Sequence, residues 1–392
     1  MAVHFCHPRW SYAKVPVKDE IIHGLTCPKE RPSLGELIAS KRFRWLASAA
    51  FGMLLFTVVF RKSDRIPAIG TSSISTASQI GPETVGKPPT KQEDVDWSRF
   101  AYVQYATNAL YLCNSIMFFE RLEHLNSKPD RALLYPSSMM DPHATEGETK
   151  EAKLLIRARE EYGVKLVPIK VQHRKGQDPT WADSFTKLLS FNQTQYQRVL
   201  SIDSDSTLQQ HMDELFLLPS TPFVATRAYW LPPEERPKIN SQLMVIAPSE
   251  SEFARIAAKI DGAGPNDYDM EVVDDLYKES AMLLPHRPYV LLTGTFSSDH
   301  TDRWLGNDQE VWDPVAASNE AKLIHFSDWP RPKPWLKAPA DLIEKTQPKC
   351  VMRGEVEDCS ARDIWEGFYT EFKARRKVST GTKHRDAPMR PH

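Results

Sequence analysis

Hydrophobic and polar positions follow two regimes along this chain. Before about residue 99 a single unbroken apolar run stands in polar sequence; after it, short apolar runs alternate with stretches of helical period. Residues 100–105 (FAYVQY) are β-rich and predict a strand. Asn108 then stands where a helix needs its N-cap, and the helix behind it is predicted to reach about His124. Residues 131–135 form a second short strand. Leu154, Leu155, Ala158 and Tyr162 share one face of a helix predicted over 148–162, which leads into a strand at 164–170. A helix over 181–190 and a buried strand over 197–202 follow. Such alternation predicts a mostly parallel sheet in an α/β domain. Further on, strands are predicted at 221–226, 242–246 and 322–326, with helices at 250–260 and 270–280. From Asp328 the Pro- and Trp-rich sequence predicts irregular structure packed on the domain, then a last helix over 360–377 and a loose end. The sequence contains no internal repeat.

The early apolar run, 45–60, carries no charge and is bracketed by Lys41, Arg42 and Arg44 before it and Arg61, Lys62 and Arg65 after it. As a helix it spans roughly 24 Å, against a hydrocarbon core of about 30 Å; Trp45 and snorkelling arginines close the gap. A core helix would carry a polar stripe, and only Ser48 and Thr57 are polar here. A cleavable leader would place small residues after the apolar core, whereas Ala47 and Ala49 stand at its start. The run reads as a signal anchor in contact with a lipid bilayer. The N-terminal flank holds five basic residues (Lys29, Arg31, Lys41, Arg42, Arg44) against three on the other side, which predicts a cytosolic N-terminus and a lumenal remainder. The expected layout is a cytosolic tail 1–44, an anchor 45–60, a Ser/Thr/Pro/Gly-rich stem 61–95, a catalytic domain 96–345 and a C-terminal extension 346–392. Asn192-Gln-Thr194 is a glycosylation sequon usable in a lumenal domain.

Composition narrows the field. At 41% hydrophobic and 26% charged residues the chain is globular, and 51 acidic against 50 basic residues leave no excess that would point to nucleic acid. None of the five cysteines forms a CxxC pair, which argues against structural zinc. Cys350 and Cys359 leave two readings open, a disulfide in an oxidising lumen or two unrelated thiols.

The candidate chemistry begins at Arg198-Val-Leu-Ser-Ile-Asp203-Ser204-Asp205, an apolar strand that ends in two carboxylates one residue apart. Ligands of open α/β sheets bind outside the carboxyl ends of strands. A carboxylate pair there can hold Mn²⁺ or Mg²⁺, and the cation in turn neutralises a diphosphate. The spacing alone is a weak signal, because Asp94-Val-Asp96 and Asp267-Tyr-Asp269 also fit it and neither follows such a strand.

Residues 195–208 (QYQRVLSIDSDSTL), continuing to Met212-Asp-Glu-Leu-Phe216, resemble the metal-binding segment of glycogenin-like glycosyltransferases of family 8. The order of other segments from about 99 to 336 is similar too. The resemblance is strongest to fungal glucose N-acetyltransferases, and 284–296 (LPHRPYVLLTGTF) looks like a stretch typical of that group. It implies the GT-A fold, a Rossmann-like mixed sheet flanked by helices, behind a single N-terminal transmembrane helix. It implies a retaining hexosyltransferase of the Golgi membrane, Mn²⁺-dependent, that moves N-acetylglucosamine from UDP-GlcNAc to a glycan acceptor of mannose type. Carried over residue by residue, Tyr105, Thr107, Asn108 and Tyr111 grip uracil and ribose, and Lys187 of Thr186-Lys187 reaches the donor. Asp203, Asp205 and His325 hold the metal, with Ser204 between the acids; Lys333 of Lys333-Pro-Trp335 contacts phosphate. Asn240 and Ser241 lie beside the donor sugar and Asp269 near its anomeric carbon, so that Asp269 and Asp205 are the catalytic acids. The chain departs from glycogenin at Gln242 (for Gly), Met270-Glu271 (for Gln-Gly) and Ser327-Asp328 (for Leu-Gly), which implies a reshaped donor pocket. Two alternatives stand beside this reading: the same fold using UDP-glucose or UDP-glucuronate, and a non-catalytic, membrane-anchored binding protein.

Overall fold

The computed structural model describes residues 95–174, 182–235 and 237–379. The tail, anchor and stem expected before residue 95 lie outside them, and among the described residues no helix is long and apolar enough to cross a membrane. Strand β1 (Phe100–Tyr105) is buried over its first five residues because it runs through the middle of a seven-stranded sheet. It pairs in parallel with β2 (Asp130–Pro136) on one side and β4 (Arg198–Ile202) on the other, and β3 (Val164–Ile169) continues parallel beyond β2. Central parallel strands are covered on both faces, which is why 198–202 reads as a buried run rather than an alternating one. Beyond β4 the sheet becomes mixed. There β7 (Ile239–Ile246) runs antiparallel to both β4 and β6 (Phe223–Arg227), and β8 (Met282–Leu284) closes the edge parallel to β6. The order is β3-β2-β1-β4-β7-β6-β8.

Helices cover both faces. Helix α1 (Ala109–His124) starts where predicted, the Asn108 side chain accepting from the N–H groups of Leu110 (3.0 Å) and Tyr111 (3.3 Å). Helix α2 (Lys150–Tyr162) runs from a Thr149 cap to Gly163, whose φ of 62° is the left-handed stop that glycine adopts without strain. These two pack on one sheet face through Leu112, Ile116, Phe119, Leu155 and Ala158. The other face carries α3 (Glu250–Asp261), α4 (Asp269–Tyr277) and a 3-10 helix over Ser184–Asn192, where Phe191, Phe223 and Tyr277 stack. The helix expected at 181–190 stands at 184–192 and takes the 3-10 form. Phe185, Leu188 and Phe191, the apolar ones among its buried residues, recur every three positions, and three residues per turn is the 3-10 period.

A small second sheet decides where the chemistry sits. Strand β5 (Ser206–Leu208) follows β4 almost at once and pairs antiparallel with β10 (Leu323–His325), which runs parallel to β9 (Leu291–Leu292). Past 346 the chain is more regular than its composition predicts. A hairpin of β11 (Val351–Arg353) and β12 (Val356–Asp358) is closed by a Cys350–Cys359 disulfide and leads into a C-terminal helix, Ser360–Ser379, whose Trp365, Tyr369 and Phe372 are buried.

One polar knot ties the sheet to the loop behind β5. The buried Tyr102 hydroxyl donates to Asp213 (2.9 Å) and accepts from Met212 N–H (2.7 Å), while Asp213 also accepts from Ser127 (2.7 Å) and Lys128 N–H (2.9 Å). Removing that hydroxyl strands a buried N–H. Tyr102→Phe is therefore expected to lower the unfolding free energy by about 1–3 kcal/mol, seen as a lower urea midpoint at unchanged slope.

Candidate active site

The turn between β4 and β5 places two acids at the sheet's carboxyl edge. Asp203 N–H donates to the Gln242 carbonyl (3.0 Å), fixing the exit of β4 against β7. Ser206 then faces His325 across the β5–β10 ladder, and Phe326 N–H donates to the Asp205 carbonyl (3.1 Å). This pairing brings an imidazole from far along the chain to the acids. His325 Nε2 lies 3.1 Å from Asp205 Oδ1 and 3.6 Å from Asp203 Oδ2, and one ligand atom from each residue falls within 4.8 Å of the others. Two carboxylates and one imidazole so converged suit a divalent cation such as Mn²⁺ or Mg²⁺.

Lysines interleave the acids. Lys187, on the 3-10 helix, places Nζ 2.6 Å from Asp203 Oδ1 and 2.7 Å from Asp269 Oδ2; Lys333 Nζ is 2.8 Å from Asp205 Oδ2. Ser241 donates to Asp269 (2.6 Å) and the Tyr105 hydroxyl to Asp203 (3.2 Å). For Asp205, Lys187 and His325 burial opposes charge, and opposite charges outweigh it. Against burial, Lys333 and His325 hold the Asp205 carboxyl well below its ordinary range. Against burial, Asp203 and Asp269 hold the Lys187 ammonium above its range, and Asp205 does the same for His325. For Tyr105, burial and the neighbouring acids act together and keep it a phenol.

In front of this cluster opens a pocket of about 150 Å³. Tyr105, Thr107 and Tyr111 line it from the β1–α1 turn, Lys187, Asp203 and Asp205 from the floor, and Asn240, Ser241, Gln242 and Asp269 from β7 and α4. Asn240 is locked in place, accepting from Gln242 N–H (2.7 Å) and donating to Thr226 (3.1 Å). His325 and Lys333 are not in the lining; they support Asp205 from behind. Asn108 is likewise outside the lining, its side chain spent on the α1 cap. Ser204 is buried outside it too, and its hydroxyl meets no hydrogen-bond partner among the described residues. Of the two neighbouring acids, Asp269 enters the pocket, whereas Asp267 accepts from Gly264 N–H (2.8 Å) in the preceding turn.

The three departures from glycogenin separate. Gln242, Met270 and Glu271 line the pocket, as expected. Asp328 does not: its carboxylate is taken up by Thr293, Trp365 and Tyr369, so the inference that this change reshapes the donor pocket is corrected. Trp230, Leu231, Lys238 and Tyr268 also line the wall, as do Asp183, Ser184 and Glu235, and none was singled out from sequence. Lys238 pairs with Glu271 (2.7 Å), whose other oxygen caps Tyr268 N–H (3.2 Å). Trp230, Leu231, Lys238 and Tyr268 carry no local signal, since their approach depends on how β6, β7 and α4 meet.

No family model matches the chain. Among characterised proteins it is 56% identical to Glucose N-acetyltransferase 1 of Gibberella zeae over 72% of its own length and 63% of the relative's. It is 42% identical to the protein of the same name in Aspergillus fumigatus, over 72% of this chain and 78% of the relative. The Saccharomyces cerevisiae protein of that name is 25% identical over 87% of this chain and 99% of its own. The chain thus spans less than two thirds of the length of the Gibberella relative. Solved glycosyltransferases are remote likenesses: the bifunctional WbbM enzyme matches with a TM-score of 0.46 and 12% identity over 73% of this chain and 52% of its own, and the galactosyltransferase LgtC with 0.43 and 12% over 68% and 99%. The family rests on the sequence relatives: the chain belongs to the glucose N-acetyltransferase 1 family of fungi.

Proposed function

We propose that this chain is a retaining glycosyltransferase of GT-A fold that transfers N-acetylglucosamine from UDP-GlcNAc to a mannose-type glycan acceptor, with Mn²⁺ bound at Asp203, Asp205 and His325. The observation that carries the proposal is the convergence of those three side chains, with Asp203 and Asp205 at the floor of a pocket that also presents Asp269 and His325 against Asp205 from behind. The names of the relatives agree with the sugar.

Breaking the donor's C1–O bond builds positive charge on the sugar ring and negative charge on the diphosphate. A divalent cation, when bound, neutralises charge on that diphosphate. Lys187 adds fixed positive charge at that floor and Lys333 adds it from behind Asp205, each already oriented by the acids it contacts. Asp269, fixed by Ser241 and Lys187, keeps a carboxylate toward the sugar and stabilises the cationic ring. The acceptor hydroxyl attacks on the face the diphosphate leaves and passes it the proton, which retains configuration. Tyr105, Thr107 and Tyr111 flank the base and ribose at the mouth of the β1–α1 turn.

The proposal extends to place: a type II Golgi membrane protein anchored through 45–60 with the catalytic domain lumenal. The Cys350–Cys359 disulfide and the exposed Asn192 sequon both suit a lumenal domain.

Purified protein given a panel of UDP-sugars and Mn²⁺ is expected to release UDP fastest from UDP-GlcNAc, to stop with a chelator and to resume when Mn²⁺ is restored. Faster release from UDP-glucose or UDP-glucuronate would overturn the donor assignment. Asp205→Ala should lower kcat/KM by at least about 100-fold with the fold intact by circular dichroism. Asp269→Asn should lower kcat by a similar factor of about 100 while the KM for donor changes little; a KM effect alone would remove Asp269 from the chemistry. In cells, the chain should resist carbonate extraction, and an endoglycosidase should shorten the wild type but not Asn192→Gln.

A further inference from the structure

The turn that carries the chain from His325 to Lys333 is fastened to the C-terminal helix. Asp328 is buried, and its carboxylate accepts from Thr293 Oγ1, from Trp365 Nε1 at 3.0 Å and from the Tyr369 hydroxyl at 2.8 Å. Thr293 Oγ1 also receives the N–H of Ser327 at 2.9 Å, so the segment just past His325 is held from two sides. Arg331 N–H donates back to the Asp328 carbonyl (2.7 Å) and closes the turn. The Arg331 guanidinium lies against the same helix, 3.5 Å from the ring centre of Tyr369 and 4.0 Å from that of Trp365.

Phe326 links this fastening to the site. Its ring meets Tyr369 and Phe372 edge-on, with centroids 5.2 and 5.0 Å away. Its N–H donates to the Asp205 carbonyl, and its own carbonyl accepts from Lys333 Nζ. One residue therefore joins the helix, Asp205 and Lys333.

Core packing alone does not call for such a carboxylate. An apolar side chain would fill the space without the cost of burying a charge or a polar group. A carboxylate held by three directional donors from two other segments instead specifies one position for the turn.

We propose that Asp328, Trp365 and Tyr369 are positioning residues for the metal-binding group: they hold His325 and Lys333 in place against Asp205, and the C-terminal helix is a working part of the site. This rests on the reading of Asp203, Asp205 and His325 as metal ligands. None of the three positioning residues touches the pocket.

The test is Mn²⁺ binding by the full chain in the presence of UDP, followed by the paramagnetic resonance of free Mn²⁺ and therefore independent of turnover. Tyr369→Phe removes one donor to Asp328 and keeps the ring, and Trp365→Phe removes another while leaving a smaller aromatic ring; each should raise the Mn²⁺ Kd about five-fold, and Asp328→Asn at least as much. Tyr102→Phe, which lowers stability from within the sheet core, should leave the Kd within about two-fold of wild type and so separates positioning from general destabilisation. If Tyr369→Phe and Trp365→Phe bind Mn²⁺ as the wild type does, the positioning role is wrong while the metal site stands. If the wild type takes up no more Mn²⁺ than Asp205→Ala, the metal reading falls and this inference with it.

Discussion

Everything at the sheet edge depends on charge compensation among buried groups. Asp203, Asp205 and Asp269 are each nearly removed from solvent, a state that ionised carboxylates tolerate only beside partners. The partners come from separate parts of the chain: Lys187 from the 3-10 helix, His325 from the small sheet and Lys333 from the turn beyond it. Acid and base alternate so that each acid touches at least one cation. The fold is arranged to deliver these side chains together, and the pocket is the space they leave in front of them.

That arrangement explains the mixed sheet. The parallel half, β3-β2-β1-β4, sends its carboxyl ends to one edge and opens a crevice between β1 and β4. The antiparallel β7 then enters beside β4 and brings Asn240, Ser241 and Gln242 to the same crevice, while α4, capped through Glu271, delivers Asp269 at its first turn. Parallel strands make the opening and antiparallel ones furnish its far wall.

Legibility from sequence followed the range of the interactions. Asn108 as a helix cap and the acids at the end of β4 depend on neighbours a few residues away, and the sequence displays them directly. The helix over 184–192 was visible as a helix, and its 3-10 form is a detail of the structure. His325 could be named only through family resemblance, since its place beside Asp205 comes from a β5–β10 pairing across a long stretch of chain. Trp230, Lys238 and Tyr268 were missed for the same reason. Asp328 was misplaced: it was read as a change at the donor pocket, but its partners, Trp365 and Tyr369, stand on a helix whose docking no local pattern reveals.

The β5–β10 ladder also sets a length rule. Side chains alternate across a strand, so the pairing of Ser206 with His325 fixes the parity of each residue on both strands. The link from β4 to β5 is only three residues, Asp203, Ser204 and Asp205. That short span is tied at both ends, Asp203 N–H to the Gln242 carbonyl and the Asp205 carbonyl to Phe326 N–H, so a residue added or removed there would break one tie or the other. The distance between the two sheets thus sets how many residues can stand between the acids and the ladder that carries the imidazole.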